Sequence, residues 1–214
     1  MMMKIKVCGM RDNGNIESLI ALKPDFMGFI FYKKSKRFVI DFPTIEIPST
    51  IKKVGVFVNE PIDNVIEIVK KHQLDCVQLH GNESPEYCRE LQKCHLERSR
   101  KAASHSTEIF KAFSVDDSFD FSKTEDYQKA CNYLLFDTKG KEYGGNGVKF
   151  NWEVLQKYKG KTPFLLSGGI TKNDADEIKK IKHTAFAGLD INSGFEIEPA
   201  LKNIEDIKEF KQNL

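Results

Sequence analysis

With 214 residues the chain has the size of one large domain or two small ones, and folding at that length removes roughly 70% of the unfolded surface from water. The 33 Lys and Arg against 31 Asp and Glu leave a net charge of +2, which excludes polyanion binding driven by bulk charge. Hydrophobic residues at 40% and charged residues at 30% place the chain among folded globular proteins, and no apolar run approaches the roughly 18–20 residues of a membrane span.

In chain order, short runs rich in Val, Ile, Leu and Phe recur: KIKVCGM, FMGFIFY, KKVGVFVN, CVQLHG, IFKAFSV, NYLLFDTK, PFLLSGG and AFAGLDI. Helical periodicity lies between several of them, in IESLIALK, IDNVIEIVKKH, PEYCRELQKC, NWEVLQKY, NDADEIKKI and the terminal IEDIKEFKQNL. In the second of these, Val65, Ile66, Ile68 and Val69 form an apolar stripe behind Pro61. Strands alternating with helices imply parallel strands joined by right-handed crossovers, and eight such units predict an α/β fold, a single closed (β/α)8 TIM barrel over residues 1–214. The competing open doubly wound sheet usually carries a GxGxxG after its first strand, which is missing here.

Two segments resist the pattern. LERSRKAASHST (96–107) is polar and basic, and is read as a solvated inserted loop on the bottom face rather than a nucleic-acid patch, because it has no interleaved aromatics. SVDDSFDFSKTED (114–126) is expected to be a loop with at most a short helix. The start MMMKIKVCGM has too short an apolar stretch for a signal-peptide core. Five scattered cysteines, at 8, 76, 88, 94 and 131, predict a reducing, cytoplasmic setting rather than a disulfide framework.

Catalytic groups of such barrels sit at the carboxyl ends of the strands. Those ends are Cys8-Gly9, His80-Gly81, Asp137-Thr138, Ser167-Gly168-Gly169 and Asp190-Ile191-Asn192-Ser193-Gly194. Paired glycine-bearing turns after the last two strands suit a phosphate, although glycines also make tight turns for their own sake. A buried cysteine is ordinarily an inert small hydrophobe, but Cys8 stands at a strand mouth with Lys6 one layer deeper on the same face, where an ammonium favours the thiolate. Asp137, behind the apolar YLLF, is either a proton donor at a strand mouth or a capping aspartate. Arg37 lies in a basic run that reads as solvated surface or as a carboxylate clamp, and His80 by itself reads as a structural histidine. HExxH, CxxC and GxxxxGK[ST] are missing, Cys88, Cys94 and His95 lack zinc spacing, and neither Lys6 nor Lys139 is well placed for Schiff-base chemistry.

KVCGM, GFIFYKKSKRFV, KKVGVFVNE, VQLHG, LLFDTKGKEYGGNGVKFNW, FLLSGGI and GLDINSGFE occur in this order, and together they resemble the phosphoribosylanthranilate isomerase (TrpF) family from about Lys4 to Phe210. The resemblance implies an Amadori-type aldose–ketose rearrangement in tryptophan biosynthesis, from N-(5'-phosphoribosyl)anthranilate to 1-(o-carboxyphenylamino)-1-deoxyribulose 5-phosphate, without a cofactor or metal. It implies Cys8 as general base and Asp137 as general acid, with Arg37 at the anthranilate carboxylate. Gly168, Gly169, Asn192, Ser193 and Gly194 would hold the phosphate, and His80 and Asp190 would line the pocket. The partner expected is a small phosphorylated molecule, with no nucleic acid and no membrane, on a monomer or homodimer.

Three features depart from the family pattern. EPALKN has Ala200 and Asn203 where a PGxKD-like stretch is common, which questions the start of the last helix. Asn192 stands where serine is common, and the 96–107 segment looks inserted. A histidine-pathway sugar isomerase, which uses two aspartates, and an inactive phospho-ligand-binding barrel are the alternatives.

Overall fold

The structure, a computed structural model, describes residues 3–102, 107–138 and 149–214, with backbone alone for 95–102. Eight parallel strands close into a barrel in sequential order: β1 (Lys4–Val7), β2 (Phe26–Ile30), β3 (Lys52–Phe57), β4 (Cys76–Leu79), β5 (Glu108–Val115), β6 (Tyr133–Thr138), β7 (Phe164–Ser167) and β8 (Phe186–Ile191). Closure comes from β8 pairing back on β1, with Lys6 opposite Asp190. The helices are α1 (Asn13–Ile20), α2 (Ile62–His72), α3 (Pro85–Ala102), α4 (Ala175–Lys179) and α5 (Ile204–Gln212). A hairpin of β9 (Glu196–Glu198) and β10 (Leu201–Lys202) follows β8.

Strands covered on both faces read as continuous apolar runs, and FMGFI in β2 is buried at all five positions. Side-chain alternation then sorts residues into two cores. Ile5 and Val7, Val77 and Leu79, Leu134 and Phe136, Phe164 and Leu166, and Leu189 and Ile191 belong to the outer core under the helices. Their alternates face the barrel axis, where Phe26, Val54, Cys76, Phe110, Leu165 and Ala187 fill the lower interior. One step further up each strand, the same parity brings polar residues to the mouth: Cys8, Gln78, Asp137, Ser167 and Asp190.

Local signals set the helix ends. The Asp12 carboxylate accepts from the Asn15 N–H at 2.8 Å and starts α1. In α2, Val65, Ile66 and Val69 are buried as the stripe predicts, Ile68 is half-buried, and Gln73 ends the helix at φ 50°. Asn203 caps α5 by accepting from the Asp206 N–H at 3.2 Å, so asparagine keeps the start of the last helix that the departure at this position put in question. Ala200 holds φ 72°, the left-handed turn for which glycine is the unstrained choice.

Three local expectations are corrected. Helix α3 runs through Ala102, so residues 96–102 are helical backbone where a loop was expected; 103–106, the rest of that segment apart from Thr107, lie outside the described residues. Charged residues suit a solvated helix as well as a loop, which is why composition misread them. The NWEVLQKY segment forms a 3-10 helix over Trp152–Lys157, and NDADEIKKI a 3-10 turn over Lys172–Asp174 leading into the five-residue α4. Within 114–126, β5 extends through Val115 and a 3-10 helix spans Phe121–Tyr127, in keeping with a loop bearing a short helix. YGGNG (143–147) lies outside the described residues. No helix among the described residues is long and apolar enough to cross a membrane.

Candidate active site

The barrel mouth opens into a cleft with about 680 Å³ of non-protein space, part of it solvent. Cys8, Arg37, His80, Asp137, Gly168, Gly169, Asp190, Asn192, Ser193 and Gly194 all line it. Residues from six places in the chain thus meet at one end of the barrel, because the strands carry their last inward residues there.

Cys8 is 4% exposed, and its backbone N–H donates to the Ile191 carbonyl at 2.9 Å. Gly28 on the adjacent strand makes room for the thiol, since a Cβ there would stand 2.8 Å from Cys8 Sγ. Beneath it, the fully buried Lys6 ammonium donates to Asp190 Oδ1 at 2.8 Å. Burial pulls the Lys6 ammonium down, but the Asp190 carboxylate, with Cys8 behind it, more than restores it, and Lys6 lies above the ordinary lysine range.

Burial pushes the Cys8 thiol up; the ammoniums of Lys6 and Lys202 pull it down, the Asp190 carboxylate opposes them, and burial prevails. Lys6 favours the thiolate, as strand parity suggests, but burial outweighs it. Site-resolved alkylation with iodoacetamide should therefore find Cys8 less reactive near pH 7 than an ordinary thiol, with a rate still climbing above the usual value of about 8.5. Lys6→Met should move that profile higher still, since one attraction is lost and Asp190 is left behind. An unchanged profile would show that Lys6 does not act on Cys8.

On the opposite wall, Asp137 is 6% exposed, and its Oδ2 lies 3.3 Å from His80 Nε2. His80 Nδ1 in turn lies 2.8 Å from the amide nitrogen of Gln78. The His80 backbone is fixed by its N–H donating to the Phe57 carbonyl at 2.8 Å.

The turns after β7 and β8 touch: a Cβ on Gly194 would fall 2.0 Å from the Ile170 carbonyl oxygen. Gly168, at φ 90°, passes so close to β6 that a Cβ there would lie 2.5 Å from the Thr138 nitrogen. Two glycine-bearing turns packed together at the cleft give the backbone-lined concavity that suits a phosphate.

Arg37 is not solvated surface. Its Nε donates to Glu196 Oε1 at 2.8 Å and its Nη2 to Glu196 Oε2 at 2.6 Å. Lys202, fully buried, donates from Nζ to Glu196 Oε1 at 2.5 Å and to Asn192 Oδ1 at 2.8 Å. Burial pushes the Glu196 carboxyl up, but Arg37 and Lys202 outweigh it and hold it below the usual carboxylate range. Glu196 takes the Nε–Nη2 edge of the guanidinium, which leaves the Nη1 end to meet a ligand carboxylate. Sequence reasoning missed Glu196, Lys202 and Gln78. The first two follow a strand without periodicity, and Gln78 carried only one signal, a polar residue at an inward strand position.

A thiol and a carboxyl on the walls of one cleft, with an arginine fork and a double glycine turn at the mouth of a (β/α)8 barrel, suit a phosphosugar-handling isomerase. The comparisons make that specific. A family model described as N-(5'phosphoribosyl)anthranilate (PRA) isomerase matches residues 5–213. The chain is 47% identical to the N-(5'-phosphoribosyl)anthranilate isomerase of Parabacteroides distasonis, over 99% of this chain and 93% of that one. The crystal structure of phosphoribosyl anthranilate isomerase from Thermotoga maritima superposes with a TM-score of 0.80 at 30% identity, covering 99% of this chain and 98% of that one. Another, solved in complex with reduced 1-(o-carboxyphenylamino)-1-deoxyribulose 5-phosphate, gives 0.77 at 27% identity and the same coverage. This chain belongs to the N-(5'-phosphoribosyl)anthranilate isomerase family.

Proposed function

We propose that Cys8 and Asp137 carry, as base and acid, the reaction of the family. As a phosphoribosylanthranilate isomerase of tryptophan biosynthesis, the chain converts N-(5'-phosphoribosyl)anthranilate to 1-(o-carboxyphenylamino)-1-deoxyribulose 5-phosphate. The observation that carries the assignment is the placement of Cys8 and Asp137 on the walls of one cleft, with Arg37 and the glycine turns lining the same space. We read residues 1–214 as one barrel domain, acting on a small phosphorylated molecule.

In this reading the phosphate sits against Gly168, Gly169, Asn192, Ser193 and Gly194, and the anthranilate carboxylate meets the open end of Arg37. Asp137 gives a proton to the furanose ring oxygen, the C1–O bond breaks, and an iminium forms between C1 and the anthranilate nitrogen. That cation, once present, favours the thiolate of Cys8, which burial otherwise opposes; the thiol proton leaves to solvent, and Asp137 regains a proton from solvent when the turnover ends. Cys8 then takes the proton from C2, leaving an enolamine that tautomerises to the ketone. Oxidation at C2 balances reduction at C1, so the chemistry needs no external redox partner.

Arg37→Ala should raise KM about 10- to 100-fold while kcat falls much less, as expected for losing a charged hydrogen-bonding partner of the substrate. Steady-state kinetics check this, and an unchanged KM would remove Arg37 from the binding site. The direct test of the function is a fluorescence assay with freshly generated phosphoribosylanthranilate. Fast loss of anthranilate-type emission is expected; no loss with folded protein would leave only a phospho-ligand-binding barrel.

A further inference from the structure

Gln78 stands on β4 at an inward position, above Cys76 and beside the cleft, with 1% of its surface exposed. Its amide nitrogen lies 2.8 Å from His80 Nδ1. Its carbonyl oxygen Oε1 is one of two buried side-chain polar atoms without a partner among the described residues. A buried carbonyl without a partner loses its hydration for nothing, whereas an apolar side chain of similar size would incur no such cost. The neighbouring inward residues Val54, Val56 and Phe110 show that this interior accepts apolar groups readily. Gln78 lines the cleft, and the amide nitrogen is the end with a partner in the protein.

That end fixes the histidine. An amide NH2 can only donate, so Nδ1 must accept, and the single proton of a neutral imidazole is placed on Nε2. Nε2 is the atom 3.3 Å from Asp137 Oδ2. The opposite tautomer would set two donors against each other at Nδ1 and turn a lone pair toward the carboxyl oxygen. The backbone hydrogen bond from His80 to Phe57 anchors the ring's strand position.

We infer that Gln78 is a positioning residue for the general acid: it sets the His80 tautomer so that His80 Nε2–H donates to Asp137 Oδ2, aiming Oδ1 at the substrate. When Asp137 releases its proton to the ring oxygen, the carboxylate left behind already has a donor on Oδ2. The inference rests on Asp137 acting as the acid.

The test is Gln78→Leu, with Gln78→Met as a second variant of unbranched shape should the first fail to fold. Steady-state kinetics should show kcat about 10-fold lower with KM within about twofold of wild type. Thermal unfolding should shift little, since leucine removes an unpartnered carbonyl together with the donor to His80 Nδ1. Nitrogen-15 imidazole spectra, with His80 assigned by loss of its signals in His80→Gln, should show the Nε2–H tautomer in the wild type and a mixture in the variant. A wild-type Nδ1–H tautomer, full activity in Gln78→Leu, or a lower melting temperature with the tautomer unaltered would each overturn the inference. Full activity in Asp137→Asn would take the acid assignment down together with it. An inactive Asp137→Asn beside a fully active Gln78→Leu would overturn the inference alone.

Discussion

Cys8→Ser is expected to lower kcat by roughly 10²–10⁴-fold while the reduced product analogue still binds within about threefold of wild type. The substitution replaces sulfur by oxygen in a pocket where Gly28 leaves room for the larger atom, so the hydroxyl fits without moving the strand. What changes is acidity, since a buried serine hydroxyl does not ionise to take a proton from carbon. Lys6 and Lys202, whose ammoniums pull the thiol toward its anion, cannot bring a hydroxyl that far. Stopped-flow fluorescence together with calorimetric titration of the analogue separates turnover from binding. Near-wild-type turnover would remove Cys8 as base and leave the family membership standing.

Asp137→Asn should produce a loss of the same order, again in kcat. Asparagine keeps the shape and an oxygen that can accept from His80 Nε2, 3.3 Å from the present carboxyl oxygen, so the wall of the cleft stays in place. It has no proton to give the ring oxygen, and ring opening then relies on water. The effect differs from that expected at Arg37, where the missing group binds substrate equally before and during the reaction and KM carries the change. A double variant of Cys8 and Asp137 should be little worse than either single variant, because the two act in sequence on one molecule. Single-turnover measurements check both statements, and multiplication of the two losses would contradict a shared pathway.

Much of this architecture is legible in the sequence. Eight apolar runs at roughly regular spacing became eight strands. The rule that chemistry sits at their carboxyl ends, together with the family resemblance, selected ten residues that all line the cleft. Parity explains the success: a strand with period two commits Lys6, Cys8 and Asp190 to one face as soon as Ile5, Val7 and Leu189 are assigned to the other. The short 3-10 segments after β6 and β7 carry the pattern of longer helices, because three- and four-residue spacing looks alike over about six residues. The polar 96–102 stretch has the composition of a loop, yet a missing apolar stripe does not prevent a solvated helix.

Periodicity along the chain sets the fold class and the end of the barrel that holds the chemistry, because both rest on residues a few positions apart. The residues proposed as acid and base follow from the resemblance to the family. Only closure of the barrel brings the charged partners together. Arg37 meets Glu196 across 159 positions, Lys6 meets Asp190 across 184, and burial rather than the nearby ammonium governs the free Cys8 thiol. Electrostatic energy depends on distance and on the surrounding dielectric, and both are set by how the chain closes on itself.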